Sequence, residues 1–189
     1  MSEYLGSTIL RVDSSITGEN SVSRQVTARI VEQLQAGRAD ARLIERDLVA
    51  DPIAHLTLDQ FADQSTLDEF LAADTVVIGA PMYNFTLPSQ LKAWIDRILV
   101  AGQTFRYTAN GPEGLAGGKR VIIALARGGF YEQGSPAAAL EHLESYLKGV
   151  FNFIGIEPEF VAADGLNMGP EQREAAIGAA MGETIRLAA

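Results

Sequence analysis

Apolar and polar positions divide the chain into two alternating kinds of segment. Short apolar runs are typical of buried strands, and they predict strands at residues 9–12, 75–80, 120–126 and 157–163. Residues 41–47 predict a weaker fifth strand, with Leu43 and Ile44 as its apolar centre. Between them, apolar residues recur every three or four positions, as on one face of a helix. Helices are therefore predicted from Ser21 to Gly37, Phe61 to Ala73, Pro88 to Leu99, Ser135 to Phe151 and from Pro170 onward.

This alternation predicts an α/β fold with a parallel, doubly wound sheet. Five strands fit the flavodoxin-like order 2-1-3-4-5 better than a six-stranded dinucleotide fold. The chain has 189 residues without an internal repeat or linker, so we expect a single domain over residues 1–189. In that strand order, the loops after strands 1, 3 and 4 meet at one edge of the sheet, where such folds bind ligands.

Composition argues against several classes of function. Cysteine is absent, so no thiol nucleophile, disulfide framework or cysteine-rich metal site is expected. His55 and His142 stand alone and the acidic residues lack ligand spacing, so no metal site is expected either. The net charge of −9 disfavours a nucleic-acid surface. No apolar stretch reaches membrane-spanning length, and the N-terminal residues lack a signal-peptide pattern, so we expect a cytoplasmic protein.

The loop after the first strand ends in Ser21-Val22-Ser23, where a helix is predicted to begin. Hydroxyls and free N–H groups at the positive end of a helix form a phosphate site that needs no lysine. Neither a Walker sequence nor a G-x-G-x-x-G pattern occurs. Simple N-capping by Asn20 or Ser21 is the alternative interpretation, because both residue types commonly cap helices.

The loops after the third and fourth strands suit a planar ligand. Residues 81–85 (PMYNF) combine two aromatic rings with an amide, which gives flat apolar contact and fixed hydrogen-bonding groups. After the fourth strand, Gly128 and Gly129 can present backbone N–H groups to the carbonyls of a heteroaromatic ring. For the loop after the third strand, the alternative is ordinary buried aromatic residues. For the loop after the fourth strand, the alternative is a tight turn, with Arg127 paired to a surface carboxylate.

Taken in order, these stretches resemble the FMN-dependent NADH-azoreductase family, a branch of the flavodoxin-like NAD(P)H:quinone oxidoreductases. Residues 82–85 (MYNF), 104–108 (TFRYT) and 110–115 (NGPEGL) form a specific combination. The resemblance covers nearly the whole chain. The further matching stretches are residues 14–16, Ser21 with Ser23, and residues 90–92, 127–129 and 153–156.

The resemblance implies FMN as cofactor and a role for each matching residue. Phosphate contacts are implied for Ser15, Ser21, Val22 and Ser23. Isoalloxazine contacts are implied for Met82, Tyr83, Asn84 and Phe85, with Asn84 near the reactive N5 edge. Contacts to the pyrimidine end are implied for Arg127, Gly128 and Gly129. A substrate pocket at the interface of a homodimer is implied for Phe85, Tyr107 and Phe153.

The activity implied is a two-electron ping-pong reaction, in which NADH or NADPH reduces the flavin and a quinone or azo compound reoxidises it. No protein acid or base is then required. Two alternatives stay open: a flavodoxin-type one-electron carrier, which the net charge suits, and an NADPH-dependent FMN reductase that uses other acceptors. The chain departs from familiar members at Ala126, where they have serine, at the aromatic pair Phe130-Tyr131, and in a shorter segment between strands 2 and 3.

Overall fold

The computed structural model describes residues 7–38 and 40–187 of the protein. Its central sheet is made of five parallel strands: β1 Thr8–Asp13, β2 Arg42–Asp47, β3 Thr75–Pro81, β6 Arg120–Ala126 and β7 Glu159–Ala163. They lie in the order β2-β1-β3-β6-β7. Numbered among themselves along the chain, these strands have the order 2-1-3-4-5, so the predicted topology is confirmed.

Within the described residues, five α-helices cover the two faces of this sheet. They are α1 Val22–Ala36, α2 Ser65–Ala72, α3 Ser89–Ile98, α4 Glu144–Phe153 and α5 Pro170–Leu187. Because successive strand residues point to opposite faces, Val76 and Ile78 of β3 pack under α2, α3 and α4, whereas Val77 packs under α1 and α5. None of these helices is long and apolar enough to cross a membrane.

The glycine-rich segment between α3 and β6 forms an antiparallel hairpin, β4 Phe105–Thr108 and β5 Gly111–Gly114. The hairpin is fixed to the segment that follows α4. A Cβ atom on Gly114 would overlap the backbone of Ile154 and Gly155, so only glycine permits this contact. The base of the hairpin is therefore held closely, while Tyr107 on β4 faces outward.

The helix predicted from Phe61 begins instead at Ser65. A short 3₁₀ turn, Leu58–Ala62, precedes it. Asp63 and Gln64 separate the two elements, and the Asp63 carboxylate accepts hydrogen bonds from the N–H and the hydroxyl of Ser65. These local side-chain hydrogen bonds favour a helix start at Ser65. The spacing of apolar residues alone does not reveal that start.

The helix predicted from Ser135 is also wrong at its start, because α4 begins only at Glu144. The intervening residues form turns, and Leu140, which lies within the predicted helix, is 42% exposed. The carboxylate of Glu141 accepts hydrogen bonds from the three backbone N–H groups that open the helix. Burial alone would raise the pKa of Glu141, but these N–H groups hold it below its ordinary value.

Candidate functional site

A cleft of about 330 Å³ opens at the carboxyl edge of the sheet. The loops after β1, β3 and β6 meet there, as the strand order predicts, and the loop after β7 joins them. Its lining consists of Ser15, Thr17, Asn20, Ser21, Val22, Pro81, Met82, Tyr83, Ala126, Gly128, Leu166, Asn167 and Arg173.

Hydroxyl groups concentrate in the loop after β1. Ser21 is the N-cap of α1, and its side chain accepts a hydrogen bond from the N–H of Arg24 at 3.3 Å. The Oγ of Ser21 also lies 3.1 Å from that of Ser23, and the Oγ of Ser15 lies 3.0 Å from the Oγ1 of Thr17. Capping and ligand binding are compatible here, because the other first-turn N–H groups have no partner inside the helix. The cluster suits a phosphate at the positive end of α1.

An ion pair holds this loop from outside the cleft. The guanidinium of Arg24 donates to the carbonyl of Ser15 at 2.9 Å and to both carboxylate oxygens of Asp47 at 2.7 and 2.8 Å. These hydrogen bonds lower the pKa of Asp47 to about 2. A larger cleft, about 570 Å³, borders Arg24 on the far side of the loop. Since Arg24 and Asp47 neutralise each other, that cleft is a poorer site for an anion.

The polar end of β1 packs tightly under the loop. Asp13 is buried, and its carboxylate contacts the Nε of Arg11 at 2.8 Å and accepts from the hydroxyl of Thr27 at 2.9 Å. Burial raises the pKa of Asp13, and the Arg11 charge opposes that shift. A Cβ on Gly79 of β3 would lie 2.7 Å from the Asp13 carboxylate. Glycine is therefore required at position 79, next to the point where β1 and β3 end and their loops enter the cleft.

The loop after β3 is a tight two-residue turn. Tyr83 and Thr86 exchange backbone hydrogen bonds of 2.9 and 3.2 Å. The central residues, Asn84 and Phe85, have φ angles of 48° and 72°. Two successive left-handed residues are the pattern of a type I′ turn. Asparagine tolerates this region, but phenylalanine rarely adopts it, and the strain is on the order of 1–3 kcal/mol.

Contacts on two sides hold the strained turn. On one side, the Tyr83 hydroxyl lies 3.2 Å from the Oγ of Ser15 and accepts the N–H of Ile16 at 3.2 Å. On the other, the carbonyl of Phe85 accepts the N–H of His142 at 3.1 Å. The Tyr83 hydroxyl thus links the loop after β3 to the loop after β1, and Tyr83 also lines the cleft.

Arg127 has its polar groups engaged within the chain. Its buried guanidinium pairs with Asp164 at 2.6 and 2.8 Å and with Glu144 at 3.0 Å. Its N–H donates to the carbonyl of Ala163, and its own carbonyl accepts from Leu166. The structure therefore shows the carboxylate pairing that the alternative interpretation describes, and the Arg127 side chain is not part of the cleft lining.

The two glycines after Arg127 present a different surface. Neither the N–H of Gly128 nor that of Gly129 donates to another described residue. A Cβ on Gly128 would lie 2.5 Å from the amide nitrogen of Asn167. The absent side chain leaves room for Asn167, which lines the cleft beside Gly128. The free N–H of Gly128 is a donor that a ring carbonyl can use.

Comparison with known proteins identifies the group to which these features belong. The model of the family with a flavodoxin-like fold matches residues 7–187. The chain belongs to this flavodoxin-like family. It is 54% identical to the FMN-dependent NADH:quinone oxidoreductase 2 of Bradyrhizobium diazoefficiens, over 92% of this chain and 95% of that protein. The resemblance seen in the sequence is thus confirmed at the level of the family.

Solved structures give the same result. An azoreductase from Bacillus anthracis superposes with a TM-score of 0.87 at 28% identity, over 96% of this chain and 98% of that one. An FMN-dependent NADH-azoreductase of the same species, solved in complex with FMN, superposes with a TM-score of 0.83 at 25% identity. That match covers 97% of this chain and 100% of that one.

The flavodoxin-like chain brings only part of the predicted site together. The predicted residues that line the cleft are Ser15, Ser21, Val22, Met82, Tyr83 and Gly128. Those outside its lining are Ser23, Asn84, Phe85, Arg127, Gly129, Tyr107 and Phe153. Tyr107 and Phe153 instead both contact Phe105. The Tyr107 ring meets it edge to face with a centroid distance of 5.6 Å, and the Phe153 ring is tilted against it at 4.7 Å.

Sequence reasoning overlooks the loop after β7. Leu166 and Asn167 of this loop line the cleft, between Gly165 and Gly169, whose φ angles are 75° and 113°. The rule that ligands lie beyond strand ends applies to this loop as well, so its glycines are a usable signal. Arg173, one turn into α5, carries no such signal, because nothing in the local pattern separates it from other helical surface residues.

Proposed function

We propose that this protein is an FMN-dependent NADH oxidoreductase that transfers two electrons to quinones and azo compounds. The observation that carries this proposal is the donor arrangement in the cleft. The hydroxyls of Ser15 and Ser21 and the backbone of Gly128 belong to the same cleft lining. The N–H groups of Gly128 and of the adjoining Gly129 have no acceptor among the described residues. Such a cleft fits a molecule with one phosphate and one flat ring edged by carbonyls. The names of the relatives, which specify FMN, NADH, quinones and azo compounds, support the same reading.

In this proposal the chain binds and orients, while bound FMN supplies the hydride and electron chemistry. Ser15 and Ser21 donate to the phosphate together with first-turn N–H groups of α1. Met82 and Tyr83 pack beside the ring, and Asn84 orients its reactive edge. Because the Gly128 and Gly129 donors are fixed in advance, they would stabilise negative charge on the ring of bound FMN without reorganising.

No histidine or carboxylate belongs to the described lining of the cleft. The proposal accordingly assigns no proton transfer to a side chain. Ala126 occupies the lining where a serine would add a hydroxyl, so the ring has one side-chain donor fewer on this side. Binding at the ring end then depends mainly on backbone groups.

A homodimer is part of the proposal, with Tyr107 acting at the cleft of the partner. Tyr107 is 75% exposed on a hairpin whose base is closely fixed, and Phe85 is 42% exposed. Tyrosine and phenylalanine are enriched at protein–protein interfaces relative to the rest of the surface, which supports this arrangement. We expect Tyr107→Ala to raise the KM for quinones several-fold while FMN content stays unchanged. Sedimentation showing a fully active monomer at assay concentration would contradict this arrangement.

The identity of the cofactor is the first test. The purified protein should be yellow, and the pigment released by heating should co-chromatograph with FMN in a stoichiometric amount. Recovery of FAD would contradict the assignment, since the cleft offers one phosphate cluster. NADH and NADPH should both be assayed as donors. The cytoplasmic location stays a prediction, which cell fractionation would check.

A further inference from the structure

Arg173 stands out among the residues that line the cleft. It lies in the first turns of α5, and its side chain is half-buried. Within residues 7–38 and 40–187, its guanidinium forms neither an ion pair nor a side-chain hydrogen bond. Partly withdrawing a charge from water without a partner is unfavourable. The arrangement therefore favours an anion that enters the cleft.

The other arginines near this edge of the sheet already have partners. Arg11 pairs with Asp13, Arg24 with Asp47 and Arg127 with Asp164. Each of these charges is neutralised by the chain itself. Arg173 is thus the cation that the described part of the cleft leaves available.

The position of Arg173 on α5 directs it toward the start of α1. It precedes Ala176 by one helical step of three residues, so the two share a face. Ala176 is buried in the same apolar cluster as Val22 and Val26 of α1. Because helical side chains lean toward the N-terminus of their helix, Arg173 extends along that face toward Ser21 and Val22, which line the same cleft.

We infer that Arg173 is a cofactor-binding residue that pairs with the phosphate of FMN. This inference rests on the proposed function, because it requires FMN in the cleft. A guanidinium matches the geometry of phosphate oxygens and can donate two hydrogen bonds to them. The chain carries a net charge of −9, which disfavours a phosphate dianion at long range. A local cation offsets that field and makes the cleft selective for FMN over riboflavin, which lacks the phosphate.

The test compares FMN with riboflavin in the full-length protein freed of flavin. Dissociation constants are measured from the quenching of flavin fluorescence for the wild type, Arg173→Gln and Arg173→Lys. We expect Arg173→Gln to weaken FMN binding on the order of 10-fold, as for a hydrogen bond to a charged group, and to leave riboflavin binding unchanged. Arg173→Lys should restore part of the difference. Raising the salt concentration should narrow the gap between wild type and Arg173→Gln.

Arg186→Gln is the matched control, because Arg186 lies at the other end of α5, is 77% exposed and pairs with Glu183. It should bind both flavins like the wild type. Equal weakening of FMN and riboflavin by Arg173→Gln would overturn the inference, as would unchanged FMN affinity with a raised KM for NADH. A wild-type protein that binds neither flavin would instead overturn the proposed function itself.

Discussion

Replacing Gly79 by alanine tests the packing on which the cleft depends. Gly79 lies on β3 opposite Asp13 of β1, and its carbonyl accepts the hydroxyl of Ser14 at 2.7 Å. The added Cβ would lie 2.7 Å from the Asp13 carboxylate and 3.3 Å from the methyl group of Thr27. The carboxylate cannot simply swing aside, because Arg11 and Thr27 hold both of its oxygens.

The expected cost follows from three contributions. Overpacking a close-packed interior costs about 1–3 kcal/mol, and weakening a hydrogen bond of Asp13 costs about 1 kcal/mol. Alanine also reduces the conformational entropy of the unfolded chain relative to glycine, which stabilises the folded state by about 0.5–1 kcal/mol. The net loss is therefore about 2 kcal/mol, equivalent to a fall in Tm of about 4–8 °C for a chain of this size.

The assay is thermal unfolding of the flavin-free protein, followed by an FMN titration. Gly79→Ala should lower Tm and weaken FMN binding, because Asp13 and Thr27 pack against the loop after β1, where the proposed function places the phosphate. Gly178→Ala is the matched control. This exposed helical glycine has no atom within 4 Å of a new Cβ, so alanine should stabilise the protein by about 0.8–1 kcal/mol. If Gly79→Ala were as stable as the wild type and bound FMN equally well, the close packing would not matter.

Three further outcomes are expected. The pKa of Asp47 is lowered from 3.8 to about 2, so its pair with Arg24 stabilises the fold above pH 3.8 and this stability is lost as the pH falls toward 2. Because Asp47 is 39% exposed, Asp47→Asn should cost no more than about 1 kcal/mol in neutral denaturant titrations, and should match the wild type in strong acid. Asn84→Gly, which keeps the positive φ, should slow reduction by NADH about 10²-fold with FMN affinity retained; a full rate would remove Asn84 from the site. Gly114→Ala should detach the hairpin, detected by limited proteolysis near Tyr107, and unchanged protection would contradict the close contact.

Local signals account for what the sequence could predict. The apolar runs of the five parallel strands need no distant contact to be recognised, and their number is enough to favour the observed order. Ser21 caps α1 because its hydroxyl reaches a nearby N–H, which is a short-range interaction. The start of α4 could not be predicted from such local signals. Ser135-Pro136 has the chemistry of a helix start, but Glu141 supplies the cap that the helix uses.

Contacts between distant segments account for the rest. Arg127 pairs with Asp164 across two elements, so the sequence leaves open whether its guanidinium faces a ligand or a carboxylate. The Tyr83 hydroxyl bonds to Ser15 of another loop, which a reading of the PMYNF stretch alone cannot show. Arg173 enters the cleft only because α5 packs beside α1. The roles of these three residues can be assigned only once the fold shows which distant segments lie next to them.

Anaerobic stopped-flow absorbance tests the central claim most directly. The FMN-loaded protein is mixed first with NADH, in excess over the flavin, and then with benzoquinone. The proposed function predicts that NADH bleaches the flavin absorbance directly to the two-electron-reduced level, and that the quinone restores the oxidised spectrum without any other protein. Failure of NADH to reduce the flavin would contradict the proposed oxidoreductase. So would a reduced protein whose electrons reach the quinone only when a separate carrier is added.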